Sequence, residues 1–437
     1  MSTPGTGATA VSASAASSSG TLSRGRTQSL PGFDPSAPLL EVTDLNVRFP
    51  TEDGLVHAVR GVDYTLRSGE VLGIVGESGS GKSVTSLAVM GLLPSNARVT
   101  GSVRYRGQEL LGQNDRSMSR IRGKGVSMIF QDPMTSLDPV YKVGAQIEET
   151  LRIHDKSLSS RAAEGRAVEL LELVGIPNAG DRVRSYPHEF SGGMRQRVVI
   201  AIAMANQPEV IIADEPTTAL DVTVQAQILE VLQTALSETG AAMVMITHDL
   251  GVVAGIADRV LVMYAGRPVE VGSVEDIYYE PRMPYTLGLL GSLPRLDAPT
   301  RERLTPITGA PPSLVNMPPG CPFAPRCPLH IAECDEAEPP RFEVGPGHTA
   351  ACIRTEQVER AHGHAAEVFS ETATDDVLIG EAMPVDLALG EGGGDTTAGD
   401  APPPDQTEPA AGPAADTGSV VSTHSGTAQG TTDGDRA

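Results

Sequence analysis

The 437-residue sequence predicts an α/β fold built around a buried parallel sheet, on three observations. Val71 to Val75 (VLGIV) is a short β-branched apolar run that leads straight into a glycine-rich loop, and Ser83 to Leu93 beyond it reads as a helix. Val210 to Ala213 (VIIA) is a second buried strand, and it ends in two carboxylates, Asp214 and Glu215. Large apolar side chains are scarce at both ends of the chain, which confines the folded part to about Pro38 to about His362.

The ends come first. Residues 1–37 are rich in Ser, Ala, Gly and Thr, and residues 363–437 in Gly, Ala, Pro, Asp and Thr; neither buries enough apolar surface to offset the entropy of ordering, so both are expected to be disordered. The net charge is −22, and residues 363–437 contribute 14 acidic side chains against one basic. A solvated acidic tail is the expectation, and the missing basic stripe argues against nucleic acid as a partner. The first residues have neither the cationic start nor the apolar stretch of a secretory signal. The longest apolar run, Val198 to Ala205, falls well short of the ~18 residues of a spanning helix. The chain is therefore expected in the cytoplasm, tied to a membrane only through a protein partner. No internal repeat of fixed period occurs, which leaves a single module and not two fused copies.

Gly76-Glu77-Ser78-Gly79-Ser80-Gly81-Lys82-Ser83 fits GxxxxGK[ST] between a strand and a helix, the context of a phosphate-binding loop. Gly79 and Gly81 let the backbone curl so that its N–H groups face the phosphates, and the helix N-terminus adds a positive dipole end. Lys82 is expected on the β- and γ-phosphates and the Ser83 hydroxyl on Mg²⁺, which points to a nucleoside triphosphate with Mg²⁺ and does not name the work done. At the end of the second strand, where open α/β sheets place their ligands, Asp214 is assigned to Mg²⁺ and Glu215 to orienting and polarising the attacking water. Phe49, closing the strand-like run Glu41 to Phe49, is the candidate to stack on adenine; Tyr64, inside the next strand, is the weaker contender.

Phe190-Ser-Gly-Gly-Met-Arg-Gln-Arg197 opens an apolar helical stretch, Val198 to Asn206. A Ser-Gly-Gly turn at a helix start is another anion-binding nest, and with one phosphate loop in the chain it is surplus unless it serves a nucleotide held by another chain. This segment resembles the signature motif of ABC ATPases. The order of motifs resembles that family too: the phosphate loop, Gln131 in IFQDP, the signature Ser191, Gly192, Gly193 and Gln196, Asp214 with Glu215, Ala219-Leu-Asp221, and His248 in ITHDL. The resemblance implies two modules closing head to tail on two ATPs, each held between the Lys82 loop of one and the Ser191–Gly193 nest of the other. It also implies Gln131 on Mg²⁺ and the attacking water, His248 on the γ-phosphate and linked to Glu215, and Asp221 across the interface.

All four cysteines, Cys321, Cys327, Cys334 and Cys352, fall within 32 residues, spaced C-x5-C-x6-C-x17-C. Disulfides are not expected in a reducing compartment; four clustered thiolates suit Zn²⁺ or an iron–sulfur cluster, and the spacing does not choose between them. The same region, with Tyr264-Ala-Gly, Met283-Pro-Tyr-Thr286, Gly309-Ala-Pro-Pro-Ser-Leu314 and Gly320-Cys-Pro-Phe-Ala-Pro-Arg-Cys-Pro328, resembles the C-terminal region of the oligopeptide/dipeptide importer ATPases. That likeness implies a [4Fe–4S] cluster on the four cysteines. The common pattern has His before Pro284, and here Met283 stands in its place.

Together the resemblances imply an ABC-type nucleotide-binding domain over 38–275, with a RecA-like core, an antiparallel β-subdomain near 39–70 and a helical subdomain near 132–200. A Cys-rich C-terminal extension follows over 276–362. They imply ATP hydrolysis coupled to import of di- and oligopeptides, with a second, related ATPase subunit, two membrane permease subunits and an extracellular substrate-binding protein as partners. The expected location is the cytoplasmic face of the cell membrane. Import of another solute, such as nickel or an opine-like compound, is the alternative, and a non-transport ABC ATPase a more distant one.

Overall fold

The structure, a computed structural model, describes residues 37–52, 54–218, 220–293, 306–362 and 368–369. The expectations for the two tails fall almost wholly outside the described residues, as does Ala219 of the Ala219-Leu-Asp221 motif.

The chain opens with a hairpin. β1 (Leu40–Thr51) pairs antiparallel with β2 (Gly54–Leu66), Thr51 opposite Gly54. β3 (Val71–Val75) is buried at every position and feeds the phosphate loop and the helix Lys82–Val89. β4 (Arg98–Tyr105) and β5 (Gln108–Glu109) then return to the hairpin, giving a four-stranded antiparallel sheet in the order β2-β1-β4-β5. The expected subdomain near 39–70 is therefore half of this sheet. β4 escapes the sequence because its pattern, RVTGSVRY, buries only Val103 and presents polar residues to solvent.

β6 (Val126–Ile129), β7 (Val210–Asp214), β8 (Ala242–Thr247) and β9 (Arg259–Tyr264) build the parallel part of a second sheet around β3. These strands are continuous apolar runs with no alternation, because both of their faces are covered. β10 (Arg267–Ser273), β11 (Phe342–Gly345) and β12 (His348–Ala350) extend the sheet antiparallel, giving the order β11-β12-β10-β9-β3-β8-β7-β6. The result is a mixed α/β fold of two sheets. Arg106 and Tyr105 grip Glu209 from the small sheet, and the Arg60 N–H donates to the Gly266 carbonyl at 2.7 Å, which ties the sheets together.

The helices Val143–His154, Ser160–Leu173 and Gly192–Met204 pack into one hydrophobic cluster between β6 and β7, with Ile147, Leu170, Leu171, Val198 and Ile200 at its centre. The extension beyond Tyr279 shares a core with the nucleotide sheet. Tyr264 of β9, Tyr285 and Phe323 form a ring cluster with centroids 4.6 to 5.5 Å apart, and all three are buried. No helix among the described residues is long and apolar enough to cross a membrane.

Candidate nucleotide site

The phosphate loop leaves the C-terminal end of β3 and turns into the helix Lys82–Val89. Two glycines are required by space as well as by backbone conformation. Gly76 has φ +153°, and a Cβ there would lie 2.2 Å from the Met263 carbonyl oxygen. Gly81, at φ +97°, would put its Cβ 2.5 Å from the Ala58 carbonyl oxygen. β9 and β2 thus press on the loop from two sides, and no side chain fits between them. Ser78 and Gly79 are exposed at the tip, while Ser80 and Lys82 are buried.

Lys82 folds back on the loop, its Nζ donating to the Gly76 carbonyl at 2.8 Å and the Glu77 carbonyl at 3.0 Å. Burial pulls its ammonium below the ordinary lysine range, while Glu215, Asp214 and Glu77 pull the other way. The Ser83 hydroxyl donates to Asp214 Oδ1 at 3.0 Å, which joins the loop to the end of β7. Burial raises the Asp214 carboxyl above the usual carboxylate range; the Ser83 bond and Lys82 oppose that shift, and the Glu215 charge adds to it. A buried carboxylate beside a second carboxylate and a hydroxyl oxygen gains most from a cation.

Glu215 follows at φ +47°, an uncommon conformation for a residue with a side chain and one that concentrates at functional sites. Its N–H donates to the Ile246 carbonyl at 2.9 Å, which holds the turn against β8. Around its carboxylate, Gln131 Nε2 donates to Oε2 at 2.9 Å, Thr218 Oγ1 donates to the same oxygen at 2.8 Å, and His248 Nδ1 lies 3.5 Å from Oε1. Gln131 comes from the end of β6 and His248 from the end of β8, so strands distant in sequence deliver their motifs to one edge of the sheet. A carboxylate oriented by three partners, beside a phosphate loop, is suited to activating water.

Ser191 caps the helix Gly192–Met204, its hydroxyl accepting from the Met194 N–H at 3.3 Å, and is exposed with Gly192. A Cβ on Gly193 would meet Val224 Cγ1 at 2.6 Å, which places the turn against the start of the helix Val222–Thr239. Asp221 caps that helix, accepting from the Val224 N–H at 3.0 Å, and is exposed. Gln196 is 2% exposed, and among the described residues its Nε2 has no hydrogen-bond partner. Its place one turn into the helix points it inward, away from the Ser191 surface.

Phe49 is half-buried, packed against the small-sheet core. Tyr64 is 6% exposed in the same core, which removes it as a stacking surface. Cys321, Cys327, Cys334 and Cys352 line one small apolar pocket with Met283, Phe323, Leu329 and Pro339. All four are free thiols, and burial pushes Cys352 up to about 12 and raises Cys321 and Cys327 as well. Among the described residues no three His, Cys, Asp or Glu side chains stand close enough to hold a single metal ion.

Two contacts went unread in the sequence. Arg326 forms a bidentate ion pair with Glu77 of the phosphate loop at 2.7 and 2.8 Å, and Tyr285 accepts from the Glu77 N–H at 2.8 Å. Both residues sit in stretches quoted for their resemblance, and nothing local in either marks a partner more than 200 residues away.

Comparison with known proteins agrees with this geometry. The sequence pattern described as ABC transporter matches residues 59–218, and that described as oligopeptide/dipeptide transporter, C-terminal region, matches residues 269–334. The oligopeptide transport ATP-binding protein OppD of Mycobacterium tuberculosis is 59% identical over 350 residues, 80% of this chain and 57% of that protein. This chain thus spans little more than half the length of the mycobacterial relative. OppD of Salmonella typhimurium is 53% identical over 320 residues, 73% of this chain and 95% of that protein. The dipeptide transport ATP-binding protein DppD of Bacillus subtilis is 52% identical over 326 residues, 74% of this chain and 97% of that protein. With a phosphate loop, a paired acid and a signature turn on this fold, and with relatives matched over nearly their whole length, the chain belongs to the ABC transporter ATP-binding family, in the branch with the oligopeptide/dipeptide transporter C-terminal region.

Proposed function

We propose that this chain hydrolyses ATP to drive import of di- and oligopeptides through separate membrane subunits. The observation that carries the reading is the convergence of Lys82, Ser83, Asp214, Glu215, Gln131 and His248 on one edge of the parallel sheet. The peptide substrate rests on the names of the relatives and on the matched C-terminal region.

In this reading the loop Gly76–Ser83 holds the triphosphate, and Lys82 exchanges its carbonyl partners for the β- and γ-phosphates. Ser83, Asp214 and Gln131 would hold Mg²⁺, which would neutralise phosphate charge when bound; the donor set of one hydroxyl, one carboxylate and one amide oxygen fits a hard cation. Glu215 takes the proton of the attacking water, Gln131 and Thr218 fix its orientation, and His248 turns from Glu215 to the γ-phosphate. Phe49 stacks on adenine. Exposed Ser191 and Gly192, with Gly193, complete the site of a neighbouring ATPase subunit across an interface that includes Asp221. Closure of that pair on ATP moves the permease subunits, because ATP binds the closed state more tightly than the open one. Two permeases and an extracellular binding protein complete the importer, and the permeases hold this chain at the inner surface of the membrane.

The four cysteines take a [4Fe–4S] cluster in the same reading. What supports it is that the four thiols line one small apolar pocket, while among the described residues no three metal-ligating side chains stand close enough for a lone ion. Such a cluster would supply a covalent tie between Cys321, Cys327, Cys334 and Cys352.

Phosphate release measured with and without co-purified permease and partner ATPase tests the function. Turnover that rises with the partners and with peptide-loaded binding protein is expected; an ATPase indifferent to all of them defeats the importer reading.

A further inference from the structure

The phosphate loop is held from outside the nucleotide core. Arg326 lies in the turn Ala324–Arg326, between Cys321 and Cys327, and its side chain is 4% exposed. The turn is closed by its own backbone: the Ala324 N–H donates to the Cys321 carbonyl at 3.0 Å, the Arg326 N–H to the Phe323 carbonyl at 2.9 Å, and the Cys327 N–H to the Ala324 carbonyl at 3.2 Å. From it the guanidinium spans to Glu77, Nη1 on Oε2 at 2.7 Å and Nη2 on Oε1 at 2.8 Å. Nε donates to the Thr308 carbonyl at 3.0 Å, and Nη1 reaches the Tyr264 hydroxyl at 3.3 Å, so the fork is fixed on both sides.

Glu77 is thereby pinned at three points. Its carboxylate is on Arg326, its N–H on the buried Tyr285 hydroxyl, and its carbonyl accepts from Lys82. Two of the three anchors belong to the extension, and the third is the lysine expected on the phosphates. Without the guanidinium, Glu77 would bring an unpaired negative charge to a loop that must take a triphosphate.

We propose that Arg326 is a positioning residue for ATP: from the cysteine-bearing turn it neutralises and aims Glu77, so the C-terminal extension sets the shape and charge of the phosphate loop. This rests on the reading of that loop as the ATP site. Because Arg326 stands between two of the pocket thiols, any rearrangement of the pocket moves the guanidinium and is felt at the nucleotide. A bidentate fork is needed for this, which a lysine supplies only as a point charge.

The test is binding of Mg²⁺ and trinitrophenyl-ATP to the full chain, with steady-state kinetics beside it. Arg326→Met should weaken binding by on the order of tenfold, the loss of a charge-assisted pair. KM for ATP should rise by a similar factor, with kcat changing much less. Arg326→Lys should recover part of the affinity, and Glu77→Gln added to Arg326→Met should recover more, because the unpaired charge is then gone. Binding by Arg326→Met indistinguishable from wild type, or a fall in kcat with KM unchanged, overturns the inference. Should Arg326→Met not fold, hydrogen–deuterium exchange on the wild-type chain decides it. Nucleotide should change protection at 321–329 together with 76–83, and a change confined to the loop overturns the inference. A wild-type chain that binds no trinitrophenyl-ATP refutes the ATP reading itself, whereas equal binding by wild type and Arg326→Met refutes only the role of Arg326.

Discussion

Replacing Glu215 with Gln isolates its chemistry from its packing. The amide has the same shape, and its oxygen still accepts from Gln131 and Thr218, which donate to Oε2 at 2.9 and 2.8 Å. Its NH₂ can donate to an unprotonated His248 Nδ1, now 3.5 Å from Oε1. No cavity opens and no buried group loses its partner, so the melting temperature should stay near that of wild type. What disappears is a base. General-base catalysis contributes about a hundred- to ten-thousandfold, or about 2.7 to 5.4 kcal/mol at 1.36 kcal/mol per decade. Phosphate release at saturating ATP should fall by that range. Affinity for Mg²⁺ and ATP should be preserved or improved, since one negative charge near the triphosphate is gone. The assay is phosphate release beside equilibrium binding of a fluorescent ATP analogue on the same preparation. A variant that keeps more than about a tenth of the wild-type rate would refute the assignment, as would one that loses binding and turnover together.

Other outcomes follow from the same geometry. Gly81→Ala should cost ~2–5 kcal/mol of stability, combining a left-handed backbone with a Cβ placed 2.5 Å from the Ala58 carbonyl oxygen, and should be visible as a lowered thermal melt. Asp214→Asn should raise thermal stability at neutral pH while weakening Mg²⁺-dependent nucleotide binding. Because burial raises the folded-state pKa of Asp214, the folded chain binds that proton more readily than the unfolded chain. Stability therefore falls as pH rises from the unfolded carboxylate value through the folded one, and the gain from Asn should shrink as the medium is acidified through that window. Cys321→Ser should remove the visible absorbance of anaerobically purified protein; a native chain that is colourless and free of iron defeats the cluster.

Much of the site was legible because its motifs are local. The loop from Gly76 to Ser83, the acids at 214 and 215 and the turn at 191 each carry their chemistry within a few residues, and the buried strands before them announce themselves by unbroken apolar runs. The rest depends on contacts between distant segments. β4, largely polar, joins β1, and the two-residue β5 joins β4; β12 joins β10 and β11 joins β12, although each of that pair is four residues or fewer. The Arg326–Glu77 pair joins positions 249 apart. The inward turn of Gln196 is a matter of helical phase: three positions beyond Gly193, it falls on the face packed into the core. Helix ends moved as well. Lys82–Val89 starts one residue earlier and stops four earlier than the reading of Ser83 to Leu93, where Gly91 at φ +61° breaks the helix.

The most direct measurement is a structure of the Glu215→Gln chain with its partner ATPase subunit, Mg²⁺ and ATP. The account expects each γ-phosphate within hydrogen-bond reach of Lys82 Nζ on one subunit or its counterpart, and of the Ser191 hydroxyl or its counterpart on the other. Triphosphates bound at Lys82 with the Ser191 turn facing solvent, remote from every nucleotide, would contradict it.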